Sequence, residues 1–167
     1  MSATGDLPMR HALIAALLVV LAAGQAAARD TWSLAVGRAI QVGQEGISGD
    51  TFLTVRRAGR AALPLDLAPD LAAGVSEAGT TFLSVGLVRS FHMGRAQLDL
   101  RTGPALYRSG LDGADGDELV QFYSSAGLSV PAGRFRIGIG AAHISNGGLN
   151  SSSSDTDIFS VTFGTAF

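Results

Sequence analysis

The chain has 167 residues, a net charge of −2, only 16% charged residues, 22 glycines and no cysteine. That charge offers no basic footprint for nucleic acid, and the absence of thiols excludes a disulfide framework or a thiolate metal site. Abundant small residues with few charges fit neither a disordered tail nor a helical bundle, whereas a β-barrel with glycine-rich turns accommodates both.

At the N-terminus, Arg10 and His11 precede an apolar run from Ala12 to Ala23, and Ala26-Ala27-Ala28 follows. A basic start, a short apolar stretch and small residues predict a secretory signal peptide over 1–28. The run is shorter than the ~20 residues a helix needs to cross a bilayer.

From Thr31 onward the pattern alternates with period two and shows no sustained helical period. Eight strands are predicted, at 31–42, 50–58, 62–70, 80–91, 94–108, 118–130, 134–146 and 156–167. Tight turns at 57–60, 92–94 and 131–133 interleave with longer loops at 43–49, 71–79, 109–117 and 147–155. Short turns at one end, long loops at the other and an even strand count predict an eight-stranded antiparallel transmembrane β-barrel with its N-terminus in the periplasm.

Strand 94–108 divides cleanly, with Ala96, Leu98 and Leu100 on one face and Arg95, Gln97, Asp99 and Arg101 on the other. The polar face is expected to line the lumen and pair with neighbouring strands. In 134–142 the bulk of Phe135, Ile137 and Ile139 alternates with Gly138 and Gly140, so it points toward something apolar outside. Trp32 and Tyr107 read as interfacial anchors, and His92 falls in a tight turn. The acidic stretch from Asp112 to Glu118 lacks calcium-loop spacing and reads as a solvated loop.

The last hairpin carries chemistry. His143 and Ser145 continue the parity of Ile137, Ile139 and Ala141, and Asp155 and Asp157 share that of Phe159, Val161 and Phe163. All are expected on the lipid-facing surface. Two strand rises separate His143 from Ser145 by roughly 6–7 Å between Cα atoms, within reach of an imidazole leaning toward a hydroxyl. A base beside a serine, held by a carboxylate, is the arrangement of a serine esterase, with Asp157 as the acid and Asp155 as the alternative. The glycine amides of Gly147 and Gly148 and an asparagine side chain supply a candidate oxyanion hole. Polar groups there cost about 0–1 kcal/mol near the interface but about 2–4 at the midplane.

His143-Ile144-Ser145-Asn146, followed by Gly147, Gly148 and Asn150 and by an acidic residue fourteen positions after the histidine, resembles the outer-membrane lipid A 3-O-deacylases of the PagL type. The resemblance is strongest over 134–167. It implies an eight-stranded barrel that removes the hydroxyacyl chain ester-linked at position 3 of lipid A, with His143 as base, Ser145 as nucleophile, and Asn146, Gly147, Gly148 and Asn150 in the orienting and oxyanion segment. Where that family typically has glutamate this chain has Asp157.

The expected organisation is a signal peptide over 1–28 and a barrel over 29–167 with a lipid-facing esterase site, exported to the outer membrane and working without a cofactor or metal. Its expected partners are lipid A within lipopolysaccharide and the surrounding lipid, with no nucleic acid; a homodimer is compatible with this picture. The main alternative is a non-catalytic small barrel of the opacity or adhesin type, acting through its loops. A phospholipase would share the chemistry but not the substrate.

Overall fold

The computed structural model describes residues 30–43, 46–110, 120–147 and 155–165, without the side chains of 40–43 and 46–48. The predicted signal peptide, the acidic stretch from Asp112 to Glu118, Gly148, Asn150 and Phe167 lie outside the described residues.

Eight strands follow one another: β1 (Thr31–Gly43), β2 (Gly46–Ala58), β3 (Leu67–Ser76), β4 (Thr81–Met93), β5 (Ala96–Arg108), β6 (Val120–Ala132), β7 (Phe135–Ser145) and β8 (Asp155–Thr165). Each pairs antiparallel with the next, and β8 pairs back to β1, so the barrel closes and no edge is left open. The β1–β2, β3–β4, β5–β6 and β7–β8 connections share one end, called here the loop end; the chain termini share the other.

The outward face is apolar. Val85, Ile139, Phe159 and Val161 are each about 60% exposed (61%, 64%, 56% and 60%), a belt that would be costly in water and is satisfied by hydrocarbon. The inward face has two layers. Toward the loop end, Phe52, Phe82, Tyr107, Tyr123, Ile144 and Ile158 fill the lumen, with Phe82 stacked on Tyr123 at 5.2 Å. Toward the termini lies a polar layer. Arg101 pairs with Asp99 at 3.0 Å and with Asp70 at 3.4 Å, Ser90 and Gln97 donate to Asp99, and Arg56 donates to the Tyr123 hydroxyl.

Several expectations change. The third strand is not 62–70 but Leu67–Ser76. The proline at 64 starts a single 3-10 turn (Pro64–Asp66) in which Leu65 and Asp66 adopt positive φ, and Leu63 and Leu65 project into the surroundings. Their alternation imitates a strand in the letters, but proline gives no N–H to a ladder. The connection from 59 to 66 is therefore one of the longer ones, at the end expected to carry only tight turns. Conversely 71–79 is mostly strand. Gly74 keeps that run extended against β4 because Phe82 occupies the space of its missing side chain: a Cβ there would lie 2.2 Å from the ring. Residues 46–49, expected in a loop, extend β2.

Three single residues also differ. Tyr107 is 3% exposed and its hydroxyl contacts that of Thr156 at 3.3 Å, so it is lumen filling and not an interfacial anchor. His92 belongs to β4, opposite Gln97, and Arg95 sits in the turn instead of lining the lumen. Trp32 keeps the outward phase near the termini, under the Arg57 guanidinium at 5.9 Å.

Candidate functional site

The β7–β8 register sets His143 directly opposite Asp157, and Ala141 opposite Phe159. Since Ala142, Ile144, Thr156 and Ile158 are all buried in the lumen, the two-residue period sends His143 and Asp157 outward. There the imidazole Nδ1 and Asp157 Oδ1 are 2.8 Å apart, with the two side chains 47% and 49% exposed. A carboxylate at Nδ1 favours the tautomer with its proton on that nitrogen, which leaves Nε2 as the acceptor. The geometry therefore provides an oriented base on the outer surface, two residues from the loop end of β7.

Ser145 is the last residue of β7, on the same outward phase and half-buried. Asp155 shares the phase of Asp157 one step nearer the loop, but the histidine bonds to Asp157. Beyond the strand, Asn146 is buried (2% exposed) and Gly147 has φ +65° in an exposed turn. A glycine at positive φ lets the chain turn there, which makes the backbone N–H groups of this turn candidate oxyanion donors. Gly147 lies against Phe122, which also faces outward, opposite Ser145.

The structure adds neighbours that the sequence reading missed. Cross-strand pairing runs Thr102, Ser124, His143, Asp157 in one row across β5 to β8. Ser124 is exposed beside the histidine, and its hydroxyl is 3.2 Å from that of Thr102. Directly opposed residues sit closer than residues two apart on one strand, so Ser124 is a second hydroxyl within range of the imidazole. Its signal was available: it has the parity of Phe122, Ala126 and Leu128, and a polar side chain among those apolar ones is out of place. Below the row, an open and mostly apolar groove is lined by Ala126, Ala141, Ile139, Phe159, Val161 and Val36, and also by Arg38. Ala126 and Ala141 face each other across β6 and β7, and their small side chains leave the depression immediately under His143. Among the described residues no group of histidines and carboxylates is arranged to hold a metal ion.

A closed eight-stranded barrel with an apolar outer belt defines the class: this is an outer-membrane β-barrel protein, resident in the bacterial outer membrane. Solved structures share the fold. The outer-membrane enzyme PagL superposes with a TM-score of 0.58 at 18% identity, covering 82% of this chain and 99% of its own. Neisserial surface protein A superposes with a TM-score of 0.59 at 14% identity, covering 83% and 97%. At such identities these likenesses establish the barrel and nothing finer. No curated protein matches the chain. The model of the lipid A 3-O-deacylase (PagL) family matches residues 31–166, and the chain belongs to that family.

Proposed function

We propose that the protein hydrolyses the 3-position acyl ester of lipid A as a serine esterase, with Ser145 as nucleophile, His143 as base and Asp157 as the acid that orients it. The observation carrying this reading is the 2.8 Å bond between His143 Nδ1 and Asp157 on the lipid-facing surface, beside Ser145, in a chain of this family.

In the first half, His143 Nε2 takes the Ser145 proton as Oγ attacks the acyl carbonyl carbon, and the imidazolium is stabilised by Asp157. The oxyanion accepts hydrogen bonds from backbone N–H groups of the turn beginning at Asn146 and Gly147. Collapse breaks the bond to the sugar oxygen, which leaves with the proton from His143. Water, deprotonated by the same base, then releases the fatty acid from Ser145. The groove beneath His143 supports the reading because an acyl chain lying in it stays in hydrocarbon while its ester reaches the interface. No step requires a metal or cofactor.

The test is expression in a Gram-negative host with mass spectra of its lipid A. Wild type is expected to remove one hydroxyacyl chain, and Ser145→Ala to lower the rate by at least about 10³-fold with the barrel still folded. Unmodified lipid A from a correctly folded wild type would favour a barrel acting through its loops. Neisserial surface protein A shows that the same fold is also used by a surface protein.

A further inference from the structure

Arg38 lies on the lipid-facing side of β1, exposed, in phase with Val36. It is paired with Phe159 of β8 and Thr51 of β2, whereas the next outward position of β1, Ile40, is level with Asp157 and Gly49. The Arg38 side chain does not stay at its own level. Its Nη2 lies 2.7 Å from the point a Cβ on Gly49 would occupy, with Cζ at 3.5 Å and Nε at 3.6 Å. The guanidinium is therefore drawn one cross-strand step toward the loop end, into the row that contains His143 and Asp157, and the missing side chain of Gly49 provides its bed.

A cation is costly on this surface unless it reaches the interface. Among the described residues no carboxylate pairs with it. On the outward faces of β6, β7, β8, β1 and β2 the only other cation described is Arg57, which lies at the opposite end and pairs with Asp30. A planar guanidinium in the row of the oriented histidine, two strands away, has the donor set for a phosphate monoester.

We propose that Arg38 binds a phosphate of the phosphorylated sugar substrate and so fixes which acyl ester lies over His143; this rests on the esterase reading above. The sugar would then be held at two points, its phosphate on Arg38 and its acyl chain in the groove, with the ester between them. Arg38 is thus a specificity-determining residue and takes no part in bond making.

The experiment measures kcat/KM for the full chain in neutral detergent micelles free of phospholipid, with phosphorylated lipid A and with chemically dephosphorylated lipid A, for wild type, Arg38→Met and Arg38→Lys. Wild type is expected to favour the phosphorylated substrate by about tenfold or more. Arg38→Met is expected to lose that preference, with heat-modified gel mobility showing that it folds. Arg38→Lys is expected to recover part of the preference, since it restores the charge without the fork. Equal losses on both substrates, or a preference that survives Arg38→Met, would overturn the proposal and leave the esterase reading standing. So would stimulation of the wild type, but not of Arg38→Met, by anionic phospholipid on dephosphorylated lipid A, which would make Arg38 a contact for bulk lipid headgroups. A folded wild type inactive on both substrates would overturn both together.

Discussion

At the scale of single residues, the His143–Asp157 pair is better explained by chemistry than by stability. Both side chains are about half exposed, and an exposed ion pair contributes about 0–1 kcal/mol. A carboxylate that orients a base matters far more to a reaction, because an amide in its place holds the wrong tautomer. Asp157→Asn is therefore expected to lower kcat by about 10²–10⁴-fold with KM little changed and thermal stability near wild type. Asp155→Asn is expected to stay within about threefold of wild type. The reverse ranking in steady-state assays would make Asp155 the orienting acid. Ser124→Ala supplies a second comparison, since Ser124 also faces the imidazole. If Ser145 is the nucleophile, Ser124→Ala keeps at least about a tenth of the activity and still forms the acyl-enzyme; loss of covalent labelling by a serine-directed phosphonate in Ser124→Ala, but not in Ser145→Ala, would exchange their roles.

At the scale of elements, what decides the placement of the site is the seam where β8 closes on β1. Gly37 faces the lumen there, and a Cβ on it would lie 2.4 Å from the Phe159 carbonyl oxygen and 2.8 Å from Ser160 Cβ. The nearest of these atoms is backbone and has no rotamer to escape into. Gly37→Val is expected to destabilise the barrel by about 1–3 kcal/mol through strain, seen as a lower midpoint of heat-modified gel mobility. Gly94 makes the contrast: its φ is +62° with open space around it, so Gly94→Asn, which tolerates that conformation, is expected to melt near wild type. An equal loss in both would mean that backbone freedom, not close approach, is what the glycines supply. The same distinction explains what the letters did and did not carry. Strands β1, β4, β5, β6, β7 and β8 were legible because each alternates bulk with small or polar residues for the length of a membrane crossing, and the phase of His143 and Asp157 followed from that alternation. The position of β3 was not, since Ala72, Ala73 and Gly74 look like loop until Phe82 is seen filling the space that Gly74 leaves. Arg38 was hidden for a related reason: its significance depends on which strands become neighbours, and β1 meets β8 only on closure.

At the scale of the whole molecule, stability and reaction occupy opposite faces of one sheet. The outer face carries the proposed ester chemistry, while the lumen toward the termini holds charges with almost no solvent: the Asp70 side chain is 5% exposed and that of Arg101 9%. Their 3.4 Å contact is an ion pair too poorly aligned for a hydrogen bond, yet it balances charge in a space closed by Phe52, Phe82 and Tyr123 above. Removing one partner of such a pair leaves an uncompensated buried charge and costs about 3–5 kcal/mol, whereas replacing both by apolar groups costs far less. Arg101 keeps Asp99 as a partner when Asp70 is replaced, so Asp70→Asn is expected to lower the urea midpoint in detergent less than Arg101→Met, which strips both carboxylates of the cation they share. Because neither side chain crosses the wall to the lipid side, the deacylation rate per folded molecule is expected to stay within about twofold of wild type in both variants. A larger loss in Asp70→Asn than in Arg101→Met would show that Asp99 does not compensate Arg101 once Asp70 is gone. A fall in rate per folded barrel would show instead that lumen packing sets the spacing of β7 and β8, and with it the reach from His143 to Asp157.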